Sequence, residues 1–262
     1  INLSYLKPLL SIAIPLFPNF LVYWVFNSSD RIMISQMLGM EYSGIYAIGG
    51  KIGQISQLVY TAFAGGWQFF AFSTMKDKDQ VELTSNIFEY LGIITFSAGM
   101  IMAACSKTIF ILFFSGNYID GYIVAPYLFL APLLLMLFQV IVNQFIIIKK
   151  TWYNLFALTL GALFNLLCNY ILIPILGIEG AAIGTLLGYA FSIVLTAAIL
   201  IKMKLLKVSK RFIGAILLFM TEFIVWRIFF RENLILGFLL SLAVVIIYLI
   251  LYMNDIKKVI KK

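Results

Sequence analysis

Histidine is absent from these 262 residues, and charged side chains make up only 11% of them. Without histidine the chain lacks the usual general base near neutral pH and the commonest metal ligand. Charge is scarce in absolute terms too: an ordinary soluble domain is about 25% charged and about 45–50% apolar. Here 63% of the residues are hydrophobic and the mean hydropathy is +1.04. A soluble fold of this size could not hide so much apolar surface from water. A cytosolic globular enzyme, a disordered chain and a nucleic-acid module are thereby excluded. Cysteine is nearly missing. Cys105 and Cys168 lie in apolar stretches with neither a CxxC nor any ligand-like spacing, so both read as small buried hydrophobes. No cofactor and no metal site are expected.

What is present is long apolar runs. A helix needs about 20 apolar residues to cross a bilayer core of about 30 Å. Eight stretches qualify, at roughly 7–36, 44–71, 84–105, 122–148, 154–174, 181–201, 213–230 and 234–254. Backbone amides in lipid must be satisfied within the segment, which leaves helices or closed barrels. A barrel needs alternating strands, and runs such as Leu133-Leu134-Leu135-Met136-Leu137-Phe138 do not alternate. The predicted fold class is therefore an all-α integral membrane protein with eight transmembrane helices.

Acids are outnumbered 11 to 19 by Lys and Arg, giving a net charge of +8. With eight spans, one side of the membrane receives Lys7, Lys76, Lys78, Lys149, Lys150, Lys202, Lys204, Lys207, Lys210, Arg211, Lys257, Lys258, Lys261 and Lys262. The other side receives Lys107, Arg227 and Arg231, while Arg31 and Lys51 fall within spans. The positive-inside rule puts both termini in the cytoplasm. The basic balance is thus mostly an orientation signal. The first span is too long for a signal peptide and contains Pro15 and Pro18. The chain opens on Ile1 rather than Met, which suggests a truncated or trimmed chain.

Polar residues inside the spans carry the functional signal. Asn19, Tyr23, Asn27 and Arg31 follow one another at i+4 on the first span, with Asp30 adjacent, so they share a helix face. Gln54, Gln57, Thr61 and Gln68 share a face of the second span with Lys51 at its edge; Gln139 and Asn143 share one of the fourth. On the fifth, Asn154, Gly161, Asn165 and Asn169 do. Four such stripes suggest a hydrated cavity between the helices, with interhelical hydrogen-bond glue as the competing reading. Asp30 and Arg31 fall near the outer end of their span, where an interfacial pair closing the helix is the rival. Lys51 has the stronger claim to line a cavity. Glu222, near the middle of span seven, could face a groove or another helix, and Arg227 at i+5 is poorly placed to pair with it. Glu82 and Glu89 lie toward the cytoplasmic edge and read as solvated. Gly180, Gly184 and Gly188 form overlapping GxxxG steps, a close-packing signal, and Gly65-Gly66 marks an expected kink or hinge. Asp77-Lys78-Asp79 reads as a solvated charged turn.

Several motifs resemble a known family. They are Pro15, then Ser29-Asp30-Arg31-Ile32-Met33-Ile34 and Gly44-Ile45-Tyr46-Ala47, then Leu112-Phe113-Phe114-Ser115-Gly116-Asn117-Tyr118, and finally Ile173-Pro174 through Gly180-Ala181-Ala182-Ile183-Gly184-Thr185. In order and spacing they resemble the C-terminal half of Wzx-type polysaccharide flippases of the MOP superfamily. One departure is Trp67-Gln68-Phe69-Phe70, where a Pro after the Trp is expected.

The resemblance implies two six-helix lobes facing each other across a central cavity. Residues 1–203 would be the second lobe and 204–262 two additional helices with a basic cytoplasmic tail, the N-terminal lobe being absent from the chain. It implies flipping of an undecaprenyl-diphosphate-linked oligosaccharide across a bacterial inner membrane by alternating access. Lys51 and Arg31 would attract the diphosphate, and Asn19, Tyr23, Asn27, Gln54, Gln57, Asn143, Asn165 and Asn169 would contact sugar hydroxyls. Asp30 and Glu222 would be coupling or lipid-groove acids, since in related lipid II flippases the last two helices border a groove for the lipid tail. The expected partners are the lipid-linked oligosaccharide, membrane lipids and a missing first lobe. The alternatives are a multidrug or cation antiporter of the same superfamily, and a membrane enzyme acting on lipid-linked sugar.

Overall fold

The computed structural model describes residues 6–260, with side chains for residues 10, 13, 14, 16–255 and 257. Ile1, Lys261 and Lys262 lie outside the described residues, and the side chains of Lys7, Pro15 and Lys258 outside the described side chains. The described residues contain no strand. They form α1 (Leu6–Met37), α2 (Met40–Ser73), α3 (Gln80–Phe113), α4 (Ala125–Ile147), α5 (Trp152–Leu176), α6 (Ile178–Lys202), α7 (Lys210–Val225) and α8 (Leu234–Ile260). A 3₁₀ segment, Gly116–Ile123, joins α3 to α4, and a π-helical turn, Trp226–Phe230, continues α7. By length and composition α3 to α8 are each able to cross a membrane, α7 together with its π turn. Helices α1 and α2 are long enough, at 32 and 34 residues, but their polar stripes dilute the apolar content. The chain is a multi-pass membrane protein.

Cross-helix contacts show that the helices alternate in direction. Helix α3 meets α4 at Gly99–Leu130 and again at Thr84–Gln144, an antiparallel register. Helices α2 and α4 run parallel, with Gly49 on Val124, Gly53 on Leu128 and the Tyr60 hydroxyl donating to Gln139 at 2.6 Å. One end of the bundle therefore collects the 74–79, 148–151 and 203–209 connections and the end of α8. That end carries ten of the described cations: Lys76, Lys78, Lys149, Lys150, Lys202, Lys204, Lys207, Lys210, Arg211 and Lys257.

The small residues of α5 and α6 do what their spacing foretells. A Cβ on Gly161 would lie 1.8 Å from Ser192 Oγ, and one on Gly184 would lie 2.1 Å from Asn169 Oδ1. A Cβ on Gly180 would meet the Leu172 carbonyl at 2.3 Å, so hydrogen is the only substituent that fits there. The turn between the two helices is Gly177, at φ +62°, a backbone region that glycine enters without a Cβ penalty. Gly65 and Gly66 have open space around them, and α2 runs through both as continuous helix.

Helices α7 and α8 form an antiparallel pair against α3. Tyr248 donates to the Ala215 carbonyl at 2.7 Å, and Phe96 stacks on Phe219 with centroids 4.7 Å apart. Two charged clusters pin this pair, and the first corrects an expectation from the sequence. Glu89 is not solvated but 4% exposed. It accepts from Arg211 Nε at 2.7 Å, Ser209 at 2.9 Å and Tyr252 at 2.6 Å, while Arg211 reaches Asp255 at 2.6 Å. Arg227 pairs not with an acid of its own helix but with Glu179 at the start of α6, at 2.8 and 3.2 Å. Arg231 and Tyr127 complete that cluster at 3.1 and 2.7 Å. Lys107 and Tyr122 both donate to Glu232 in the connection between α7 and α8. The Lys107 ammonium, with Tyr122 second, holds that carboxyl below its ordinary value.

Candidate functional site

A cavity of about 440 Å³ opens between α1, α2, α4 and α6. The i+4 stripe of α1 supplies Tyr23, Asn27 and Arg31, with Asp30 beside it, and α2 supplies Gln54, Gln57 and Tyr60. Helix α4 contributes an apolar wall of Leu128, Ala131, Pro132 and Leu135; α6 contributes Thr185 and Tyr189. Gly50 and Gly53 on α2 also face it. Gly53 lets the chain approach the Leu128 carbonyl, which a Cβ would meet at 2.5 Å.

At the floor sits Asp30. It is 4% exposed, seven residues before the end of α1 at Met37. Three donors converge on its carboxylate: Tyr46 at 2.6 Å, Asn169 at 2.6 Å and Thr185 at 2.5 Å. Among the described residues no ion pair reaches Asp30. A buried carboxylate satisfied only by neutral donors is costly to maintain, so the arrangement is a specialised one.

The other residues singled out from the sequence fall in four places. Asn165 and Asn169 are fully buried behind the cavity wall. Asn165 accepts from Ser29 at 3.4 Å and donates to Thr185 at 3.5 Å, so both amides touch the Asp30 cluster rather than the open space. Asn19 and Asn143 are buried toward the basic end of the bundle, away from the cavity lining. Lys51 is exposed and absent from the lining. Arg31 is therefore the cation at the cavity. Glu222 lies between α7 and α8, 3% exposed, accepting from Ser241 at 2.9 Å.

Tyr46, Tyr60, Thr185 and Tyr189 are cavity residues that the sequence reading passed over. A hydroxyl or phenol on an apolar helix is ordinary core material, and only its convergence on Asp30 or the opening distinguishes it. Among the described residues, no group of three or more His, Cys, Asp or Glu is close enough together to hold a metal.

The all-α fold, with a polar cavity open between its first, second, fourth and sixth helices, is one the chain shares with two solved structures. Residues 1–122 match the family of polysaccharide biosynthesis proteins. Over 92% of its length the chain superposes on lipid II flippase MurJ in an inward closed conformation, with TM-score 0.63 and 16% identity. It likewise matches a MOP superfamily transporter from Pyrococcus furiosus Vc1 (DSM3638), whose description reports a binding pocket of reversed polarity suggesting a different function. There the TM-score is 0.58, the identity 16% and the coverage 91%. The chain spans 54% of the first of these proteins and 63% of the second. No curated protein matches the sequence. The chain is thus similar in sequence to polysaccharide biosynthesis proteins over residues 1–122, and in fold to these two solved structures over nearly its whole length.

Proposed function

We propose that this chain is the second lobe, with two additional helices, of a flippase for an undecaprenyl-diphosphate-linked oligosaccharide. All eight helices cross a bacterial inner membrane in this reading, with the lysine-rich end cytoplasmic. A partner lobe faces the α1–α2–α4–α6 cavity. The observation that carries the reading is the cavity itself, into which one guanidinium, three amides and several phenols converge.

A sugar–diphosphate headgroup cannot cross hydrocarbon unaided, because its charges would be stripped of water. Arg31 offers the phosphates charge-assisted, bidentate donors. Asn27, Gln54 and Gln57 offer sugar hydroxyls both donors and acceptors, while the polyprenyl tail stays in lipid. Asp30 is the coupling acid, its charge state set by a proton or small cation. Rocking of this lobe against its partner exposes the cavity to either side in turn. Asn165 and Asn169 act by holding Asp30. Glu222 serves the α7–α8 contact.

The test uses the full-length protein in a deletion strain. Loss of the transporter should accumulate the lipid-linked sugar without altering drug sensitivity, and Arg31→Ala should fail to restore glycan export. Normal export by that variant contradicts the cavity assignment. One observation favours a second reading, a cation antiporter: the acid lining the cavity is buried and unpaired by any cation. Drug hypersensitivity of the deletion strain without lipid-linked sugar would decide for it.

A further inference from the structure

A second polar layer lies inside the lobe, beyond the reach of the cavity. Asn19, Asn143, Asn154 and Thr196 are between 0 and 6% exposed, come from four different helices, and are not in the cavity lining. Each has an atom with no hydrogen-bond partner: Asn19 Oδ1, Asn143 Nδ2, Asn154 Oδ1 and Thr196 Oγ1.

The helix registers put these four groups at one depth. Ser29 meets Asn165, and Asn165 meets Thr185. From that level, Asn19 is ten residues back along α1, Asn154 eleven back along α5, and Thr196 eleven onward along α6. At 1.5 Å per residue all three lie about 15–17 Å toward the basic end. Helix α4 agrees. Tyr127 meets Glu179 at 2.7 Å. Sixteen residues on from Tyr127 is Asn143, and seventeen on from Glu179 is Thr196, again the same depth. Ser192, fully buried on the same face of α6, stands between the two layers.

The unpartnered atoms comprise two acceptors, one donor and a hydroxyl that can be either. Water supplies two donors and two acceptors, and buried polar groups in native proteins are almost always bonded to protein or to ordered water. A bare cation fits less well, since the Asn143 amide nitrogen would face it.

We propose that Asn19, Asn143, Asn154 and Thr196 enclose internal water. This water, with Ser192 and Asn165, is the route by which protons move between Asp30 and the basic end of the bundle. The inference rests on the reading of Asp30 as the coupling acid. As the carboxyl O–H bond breaks, a water oxygen takes the proton and passes one of its own to the next oxygen, each O–H bond broken being matched by one formed; the Asn165 amide only orients the water. The charged and titratable groups facing Asp30 are Tyr46 from α2, Tyr189 from α6 and Arg31 on its own helix; the α5 groups on it are amides.

The test is thiol accessibility in the full-length transporter, reconstituted with Cys105 and Cys168 replaced by alanine. Thr196→Cys and Asn154→Cys are treated with a small cationic methanethiosulfonate from the basic side. Ile141→Cys, an equally buried position on α4, is the dry control. Because thiols react through the thiolate and only where reagent and water reach them, the two should react about ten-fold faster than the control. Rates no faster than the control overturn the proposal. If Asn154→Cys does not yield monodisperse protein, the near-isosteric Thr196→Cys decides alone. Labelling requires no export, so this inference can fail while the flippase reading stands, and the reverse.

Discussion

Replacing Asp30 by alanine removes the acceptor on which Tyr46, Asn169 and Thr185 converge. Thr185 has an alternative, since the Ala181 carbonyl lies 3.3 Å from its hydroxyl. The Tyr46 hydroxyl keeps Thr185 as a hydrogen-bond partner, whereas the Asn169 amide nitrogen has no other partner among the described residues and is fully buried. A buried donor left unsatisfied costs about 1–3 kcal/mol. Removing a buried charge returns part of its desolvation cost, so a net loss of about 1–2 kcal/mol is expected. For a domain of this size that is a fall in melting temperature of roughly 2–8 °C. Asp30→Asn keeps one acceptor oxygen and should lose less than about 1 kcal/mol. Thermal unfolding of the purified full-length protein measures both, and export measured alongside should be lost in both. An Asp30→Ala protein that melts with the wild type refutes the hydrogen-bond reasoning. An Asp30→Asn protein that transports normally refutes the coupling role.

Gly161→Ala should destabilise by about 1–3 kcal/mol, as overpacking does, because its Cβ meets Ser192 and the Gly188 carbonyl; thermal unfolding reads this directly. Gly65→Ala meets nothing within 4 Å and should stabilise α2 by about 0.5–1 kcal/mol, and a fall in export despite that gain would mark the glycine pair as a hinge. Glu179→Gln leaves Arg227 and Arg231 without their carboxylate, and limited proteolysis should then cut the 231–233 connection sooner than in the wild type. Glu232 is a carboxyl held low by Lys107. Its contribution is therefore fully present above the unfolded carboxyl value and fades as pH falls through the lower folded value. Glu232→Gln should flatten the acid limb of the melting profile and leave melting at neutral pH lower than in the wild type.

The helical architecture is largely legible in the sequence because lipid imposes long apolar runs, and all eight stretches are helices. The ends are less so: α3 begins at Gln80 and ends at Phe113, beyond both limits of its apolar run at 84–105, because helical hydrogen bonding does not stop where hydropathy does. The burial of Asp30 is not legible either, because it is made by Tyr46, Asn169 and Thr185 from three other helices. Asn165 and Asn169 are legible as a polar face on α5, but their partner, Asp30, is more than a hundred residues away, and spacing carries no information about it. Glu179 and Arg227 fail for the same reason, since they are 48 residues apart. Thr185, Ser192 and Thr196 leave almost no trace, because a hydroxyl on an apolar helix passes for core. Lys51 shows the opposite error, a charge whose depth along α2 suggests the cavity while its angle round the helix turns it away.

The most direct test of the central claim is headgroup translocation by the full-length protein in liposomes. A polyprenyl-diphosphate-linked oligosaccharide starts in one leaflet, and a glycosidase outside reports its arrival in the other. The account predicts protein-dependent cleavage that Arg31→Ala slows at least ten-fold, about 1.4 kcal/mol or more on the barrier, while Lys51→Ala leaves the rate unchanged. Cleavage at the protein-free rate, or full translocation by Arg31→Ala, would contradict it.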